Sequence, residues 1–184
     1  TISLPCMFSN LDLDNFDKRQ ALTQDNVLDI AKRANFDVSW IENSDGCKSV
    51  CSRIETIKIP TDSKDPLCDG TYCYDETLLF KIDKKLRLAK ESGKDSLIVL
   101  HVIGSHGPTY FRRYPNDHRR FAPDCQRSDI QNCTKEALVN TYDNTIAYTD
   151  FIVASAINKL SAIDVDSTLT YISDHGESLG ENGI

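Results

Sequence analysis

The chain has 184 residues and a formal net charge of −7, so its length fits one domain or part of a larger one. Its 40% hydrophobic and 27% charged residues are typical of a globular chain and argue against disorder. The acidic balance argues against a nucleic-acid partner, because phosphate contacts need a basic surface, and no stretch approaches the ~18 apolar residues that span a bilayer.

Hydrophobic periodicity predicts two helices and two strands in the first 103 residues. A helix capped by Thr23 runs to about residue 35, and an alternating strand occupies residues 36–42. Residues 54–74 are rich in Pro, Gly, Asp and Cys and are expected to form a loop. A second helix is predicted at residues 76–92. The continuous apolar run at 96–103 is typical of a strand that is covered on both faces.

The second half of the chain predicts a long loop, a long helix and a third strand. The loop spans residues 104–133, the helix 134–160 and the strand 167–173. Strands that alternate with helices predict an α/β fold, with a mainly parallel sheet and helices on both faces. The apolar residues expected to face inward are, helix by helix, Val27, Ile30, Ala31 and Ala34; Leu79, Ile82, Leu86 and Ala89; and Leu138, Tyr142, Ile146, Val153, Ile157 and Leu160.

Six of the seven cysteines form close pairs in sequence that is typical of loops. The pairs are Cys47 with Cys51, Cys68 with Cys73, and Cys125 with Cys133. Short loops closed by disulfides are typical of proteins in an oxidising compartment. Zinc binding is the alternative, although no pair has the Cys-x2-Cys spacing of zinc ribbons, and buried free thiols are a third interpretation. Three local disulfides are favoured.

Two predicted strands end in histidines next to glycine. The strand at 96–103 is followed by His106 in a Gly-Ser-His-Gly run, and the strand at 167–173 is followed by Asp174 and His175. Ligands of α/β sheets bind beyond the carboxyl ends of the strands. Imidazole and carboxylate together suit Zn²⁺, so Asp174 and His175 are candidate metal ligands. His106 is a candidate for a second metal or a phosphate oxygen, or is a turn residue.

The remaining basic residues have ordinary interpretations on the sequence alone. His101 lies within an apolar strand and is expected to be a hydrogen-bonded core histidine. His118 and the arginine pairs 112–113 and 119–120 are expected to lie on a solvated loop face. Lys48, between two cysteines, is expected to be a surface lysine.

Four separated motifs resemble one protein family. The run SDHGESLGENG at residues 173–183 resembles the signature of the bacterial phosphoethanolamine transferases, alkaline phosphatase and sulfatase superfamily enzymes that modify lipid A and confer polymyxin resistance. The runs SLPCMFS at 3–9, GSHGPTY at 104–110 and NTYDN at 140–144 also match that family. The resemblance implies an α/β/α sandwich with a mostly parallel central sheet. It also implies that residues 1–184 are part of a periplasmic catalytic domain that continues beyond both ends.

The resemblance assigns roles to five side chains. It implies that Asp174 and His175 are zinc ligands. It implies that Lys48, His106 and Glu177 belong to the substrate pocket, which overturns the surface interpretation of Lys48. It also implies disulfides at the three cysteine pairs.

The nucleophile of the family is a threonine that maps just before Thr1. The resemblance therefore implies that this sequence contains no catalytic nucleophile, and we expect the fragment alone to be inactive. Further zinc ligands are expected upstream and shortly downstream, and Cys6 is expected to pair with an upstream cysteine.

The activity implied by the resemblance is transfer of phosphoethanolamine from phosphatidylethanolamine to a lipid A phosphate through a phosphothreonine. The parent protein is expected to be anchored in the bacterial inner membrane, with this domain on the periplasmic face. The alternatives are another phosphoryl or phosphoglycerol transferase of the superfamily, or a noncatalytic fragment. A sulfatase is disfavoured because no Cys-x-Pro-x-Arg string occurs.

Overall fold

A parallel sheet of three strands, in the order β2-β1-β3, forms the centre of the computed structural model, which describes residues 2–62 and 64–181. The strands are β1 (Asp37–Glu42), β2 (Glu55–Lys58) and β3 (Ser96–His101). The helices are α1 (Ser3–Phe8), α2 (Lys18–Thr23), α3 (Val27–Arg33), α4 (Glu76–Ser92) and α5 (Lys135–Ala162). The helix predicted at 76–92 is confirmed residue for residue.

Helices cover both faces of the central strand β1. Trp40 is fully buried and lies in one apolar cluster with Leu28 of α3. The next residue, Ile41, is also fully buried and packs with Leu78 of α4 in a different cluster. Successive side chains of a strand point to opposite faces, so one strand supplies the core on both sides of the sheet. The predicted α/β fold is confirmed.

The register of the sheet brings the carboxyl ends of β1 and β3 together. Asp37 pairs with Ser96 at one end, and Glu42 pairs with His101 at the other. The chain leaves β3 at this edge, which therefore receives the segment that contains His106.

The long helix α5 buries a face that only partly matches the predicted one: Leu138 is buried as predicted. Its side chains Ile146 and Ile157 are both 46% exposed, so their predicted burial is wrong. The buried positions are Ala137, Leu138, Thr141, Asn144, Thr145, Tyr148, Thr149, Ile152 and Ala156. Over the described ranges, no helix is both long enough and apolar enough to cross a membrane.

The polar part of this face binds the loop that precedes the helix. Asn144 Oδ1 accepts hydrogen bonds from the backbone N–H groups of Arg120 and Phe121, at 2.7 and 2.9 Å. Thr141 Oγ1 accepts from the N–H of Cys125 at 2.6 Å. Buried polar groups require such partners, so the long loop determines which face of α5 is inside.

The helix predicted over residues 23–35 is shorter, Val27–Arg33, and Asn26 rather than Thr23 caps it; Thr23 is the last residue of α2. Asn26 Oδ1 accepts from the N–H of Leu28 at 2.9 Å, and the carboxylate of Asp29 accepts from the N–H of Asn26 at 2.9 Å. This reciprocal arrangement is a capping box. Three of the four apolar side chains that were expected inside are exposed: Val27, Ile30 and Ala34.

The strand predicted at residues 167–173 is wrong. The segment 164–180 has no helix or strand, and none of the three described strands pairs with it. Tyr171 and Ile172 are 55% and 65% exposed. Residue types that suit a strand do not form one without backbone pairing to a neighbouring strand. Conversely, the predicted loop at 54–74 contains β2, which is too short and too exposed to show a periodic pattern.

The same cysteine pairs that the sequence favours are joined as disulfides: Cys47–Cys51, Cys68–Cys73 and Cys125–Cys133. These six thiols are therefore not zinc ligands. Among the described residues, Cys6 is free and partly buried.

Two loop residues that were expected to be solvated are packed. The ring of His118 lies against those of Tyr148 and Phe151, with centroid separations of 4.9 and 4.6 Å. Arg113 is 5% exposed. Both differ from the prediction because α5 and its neighbouring loops cover this region.

Leu78 and Phe80 provide a matched test of the core. Leu78→Ala is expected to lower the free energy of unfolding by about 2–5 kcal/mol, because it leaves a cavity between α4 and the sheet. Phe80 also lies on α4 but is 62% exposed, so Phe80→Ala is expected to change the free energy of unfolding by less than about 0.5 kcal/mol. Urea unfolding followed by the fluorescence of Trp40 measures both values. Equal effects would contradict the assigned core.

Candidate metal and substrate site

Three donor groups come together near the carboxyl end of β3. His106, His175 and Glu177 each offer one ligand atom, and these atoms lie within 4.8 Å of one another. The His106 Nδ1 atom is 3.7 Å from Glu177 Oε1. The imidazole rings of His106 and His175 have centroids 6.1 Å apart. The structure thus joins two segments that are about 70 residues apart in sequence.

Asp174 lies beside this group, next to His175. Its Oδ2 atom is 3.8 Å from His175 Nε2. His175 Nδ1 is 2.8 Å from the carbonyl oxygen of Gly176, to which it donates, and this bond raises the pKa of His175. In the neutral ring the lone pair is then on Nε2, the nitrogen that faces Asp174.

These residues fit zinc in chemistry and in spacing. Imidazole nitrogen and carboxylate oxygen bind Zn²⁺ at about 2.0–2.2 Å, so two donors on one ion lie at most about 4.4 Å apart. The separations of 3.8 Å for Asp174 with His175 and 3.7 Å for His106 with Glu177 satisfy this limit. A backbone bond to the other ring nitrogen is a common support for a metal-binding histidine, and His175 has one.

Glu177 is anchored by two groups of the loop that follows β3. Its carboxylate oxygens are 3.4 Å from the Gly107 nitrogen and 3.4 Å from the Tyr110 hydroxyl. Burial, reinforced by the charge of Glu177, raises the pKa of Tyr110 to about 12. Tyr110 therefore remains protonated and donates to the carboxylate at neutral pH. A Cβ at Gly107 would lie 2.6 Å from the Tyr110 hydroxyl, which explains the need for glycine there.

A buried carboxylate, Asp75, fixes the chain where it leaves β3. Asp75 Oδ1 accepts from the N–H of Ile103 at 3.0 Å, and Oδ2 accepts from the N–H of Gly104 at 2.9 Å. The side chain of Asn43 donates to it at 2.9 Å. Gly104 has φ +53°, the left-handed region that favours glycine. Sequence reasoning missed Asp75 because an aspartate before a helix has the pattern of an ordinary cap.

Lys48 is exposed and lies on the loop closed by Cys47–Cys51. Its Nζ donates to the Asp45 carbonyl oxygen at 3.1 Å. Burial lowers the pKa of His101, the charges of Glu42 and Asp174 oppose that effect, and the charge of Lys48 adds to it. Lys48 and Asp174 therefore both act on His101 at the same edge of the sheet.

The expected hydrogen bonding of His101 is wrong for one ring nitrogen. Its Nδ1 is buried and has no hydrogen-bond partner in the part of the chain that the structure describes. The nearest carboxylate, Glu42 Oε2, is 3.8 Å away and accepts instead from the Trp40 indole N–H at 3.2 Å.

Two of the predicted features lie outside the described residues. Thr1, the expected neighbour of the nucleophile, is one of them. The other is the end of the 173–183 motif, namely residues 182 and 183.

Comparison with known proteins agrees with the motifs. The family model described as Sulfatase matches residues 1–184. The chain is 45% identical over 185 residues to phosphoethanolamine transferase EptA of Escherichia coli K12, an alignment that covers 100% of this chain and 33% of that protein. The chain thus spans about a third of the length of this curated relative.

Solved structures give the same result for the fold. The integral membrane protein lipooligosaccharide phosphoethanolamine transferase A from Neisseria meningitidis matches with a TM-score of 0.90 at 44% identity, over 100% of this chain and 34% of that one. The C-terminal periplasmic domain of EcEptC from Escherichia coli, in complex with Zn, matches with a TM-score of 0.72 at 25% identity, over 96% and 49%. The chain therefore belongs to the sulfatase family and is homologous to its phosphoethanolamine transferases.

Proposed function

We propose that the protein containing this chain transfers phosphoethanolamine from phosphatidylethanolamine to a phosphate group of lipid A. The observation that carries the proposal is the cluster of His106, His175 and Glu177, with Asp174 beside it, near the carboxyl end of a parallel strand. The names of the homologous proteins support the chemistry of the transferred group.

Asp174 and His175 would hold a zinc ion, with His106 and Glu177 next to it. When bound, zinc supplies positive charge that favours an ionised hydroxyl nucleophile and stabilises the phosphoryl oxygens. The zinc complex of the EcEptC domain supports this assignment. The bond from His175 Nδ1 to the Gly176 carbonyl oxygen keeps Nε2 directed towards Asp174.

The substrate phosphate would be bound by His106 and Lys48. The side chain of His106 is 49% exposed, so its imidazole is accessible to a phosphoryl oxygen. Lys48 is exposed, and its ammonium donates to a single carbonyl oxygen, which a lipid phosphate could replace as acceptor. Positive charge and hydrogen bonds stabilise the negative charge that develops on the phosphoryl group.

The reaction would proceed in two displacements at phosphorus. A threonine hydroxyl, which the family resemblance maps just before Thr1, loses its proton and attacks the phosphorus of phosphatidylethanolamine. The bond from phosphorus to the diacylglycerol oxygen breaks, that oxygen takes up a proton, and diacylglycerol leaves. A lipid A phosphate oxygen then attacks the phosphorus of the phosphothreonine, the bond to the threonine oxygen breaks, and that oxygen takes up a proton, which restores the hydroxyl. In this scheme residues 1–184 supply metal ligands and phosphate contacts and not the nucleophile.

The location would be the periplasmic face of the bacterial inner membrane, with the parent protein anchored in that membrane. The three disulfides support an oxidising compartment. The periplasmic and integral membrane homologues support the same location.

The test uses the full-length protein with phosphatidylethanolamine in vesicles. We expect release of diacylglycerol, and an intact-mass increase that corresponds to phosphoethanolamine on one threonine. Transfer of a phosphoglycerol group or hydrolysis of a sulfate ester instead would assign another activity of the family. Absence of both product and adduct would indicate a noncatalytic protein.

Removal of a proposed zinc ligand is expected to abolish transfer and leave the fold intact. Asp174→Asn and His175→Ala should lower bound zinc and reduce transfer by at least about a hundredfold, since zinc supplies several kcal/mol of charge stabilisation. Metal analysis and diacylglycerol release measure the two effects. Asp117→Asn, an exposed carboxylate that pairs with His118, is the control and should retain both properties. Full activity of folded Asp174→Asn and His175→Ala variants would refute the zinc assignment.

Lys48→Ala is expected to weaken catalysis without lowering zinc content. The loss should be about ten- to hundredfold in kcat/KM for phosphatidylethanolamine, which corresponds to one charged contact to the phosphoryl group. Lys48→Arg should restore part of the activity because it retains the charge. The control is Lys94→Ala, another exposed lysine. An unchanged kcat/KM in Lys48→Ala would exclude Lys48 from the substrate site.

A further inference from the structure

A buried arginine binds the backbone of the loop that carries His106. Arg113 is 5% exposed. Its Nε donates to the carbonyl oxygen of His106 at 2.9 Å, and its Nη2 donates to Thr109 Oγ1 at 2.9 Å. One guanidinium thus holds two points of the segment between His106 and Tyr110.

The carbonyl that Arg113 binds belongs to the same peptide unit as the Gly107 N–H. That N–H points to Glu177 Oε1, at 3.4 Å. A peptide unit is planar and rigid, so the position of its oxygen determines the direction of its N–H. Arg113 therefore sets the orientation of the Gly107 N–H, which contacts Glu177. This N–H and the guanidinium lie on opposite sides of the peptide.

The opposite end of the loop is held by Asp75, which accepts from Ile103 and Gly104. Burial lowers the pKa of Arg113, and the charges of Tyr72 and Asp75 oppose that effect. His106 consequently lies between two buried anchors, a carboxylate before it and an arginine after it.

Burial of this arginine is costly for the fold. Its Nη1 atom is buried and has no hydrogen-bond partner among residues 2–62 and 64–181. A buried charge with an unsatisfied donor stabilises a fold less than an apolar side chain of similar volume. Packing alone would favour an apolar side chain at position 113. The arginine therefore requires an explanation other than stability.

We propose that Arg113 is a positioning residue for the site: through the His106–Gly107 peptide it aligns His106 and Glu177 with His175. This inference rests on the proposed function. Arg113 does not touch the substrate in this scheme, and its effect reaches the reaction through the two side chains that it aligns.

The test compares Arg113→Met and Arg113→Lys in the full-length protein loaded with zinc. Arg113→Met keeps an unbranched side chain as far as the position of Nε and removes the two hydrogen bonds. We expect kcat to fall by at least about tenfold, KM for phosphatidylethanolamine to change by less than about threefold, and the melting temperature to be retained. Arg113→Lys should recover part of kcat, because one ammonium can reach one of the two acceptors.

Arg112→Met is the matched control. Arg112 is the neighbouring arginine, more exposed, and its guanidinium lies over the same Tyr72 ring as that of Arg113, at 5.2 and 5.1 Å. It has no bond to the His106 peptide among the described contacts. We expect wild-type kcat for this variant.

A double-mutant cycle with Glu177→Gln separates positioning from a general structural role. If Arg113 acts through Glu177, adding Arg113→Met to Glu177→Gln should slow the reaction by less than about threefold further. Effects that multiply fully would refute the alignment of Glu177 by Arg113, and wild-type kcat in folded Arg113→Met would refute the inference as a whole. If Arg113→Met does not fold, Arg113→Lys replaces it: a kcat below that of the wild type with KM nearly unchanged would support the inference, and a wild-type kcat would refute it.

Hydrogen exchange of residues 104–109 provides a readout that does not depend on activity. We expect faster amide exchange in Arg113→Met than in Arg112→Met, and equal rates would contradict the proposed alignment. A wild-type protein that neither releases diacylglycerol nor binds zinc would refute the proposed function. The exchange comparison would still decide whether Arg113 holds the loop.

Discussion

The geometry of the site depends on one buried carboxylate at the end of β3. Asp75 accepts the N–H groups of Ile103 and Gly104, and so determines the direction in which the chain leaves the sheet. Main-chain N–H groups at the end of a strand need acceptors when they are buried, and a carboxylate is a strong one. Burial raises the pKa of Asp75, while bonds from Asn43, Ile103 and Gly104 oppose that rise. The side chain of His106 is placed by this turn.

The parts of the molecule that the sequence predicts well are those governed by local patterns. The apolar spacing of α4 and the unbroken apolar run of β3 identify both elements, and from them follows the parallel α/β fold. His106 could be identified because it follows a strand end. Asp174 and Glu177 could be identified because they lie in a motif characteristic of one family.

The parts that the sequence does not predict are decided by contacts between distant segments. Ile146 has the right spacing for the inner face of α5, yet Asn144 is inside because it binds the loop at Arg120 and Phe121. Arg113 was expected on a solvated face, because nothing in the neighbouring sequence indicates that its side chain binds the His106 carbonyl oxygen. Segment 167–173 has residues suited to a strand, but strand formation depends on a partner elsewhere.

The disulfides close short loops, with cysteines separated by 4, 5 and 8 positions. A crosslink of this length removes little chain entropy compared with one that joins distant elements. Each bridge therefore fixes the shape of one loop. Side-chain packing, and not a disulfide, attaches α4 and α5 to the sheet. Under reducing stress each of these loops would lose its crosslink, including the one that presents Lys48, while the packing of α4 and α5 on the sheet would not depend on a bridge.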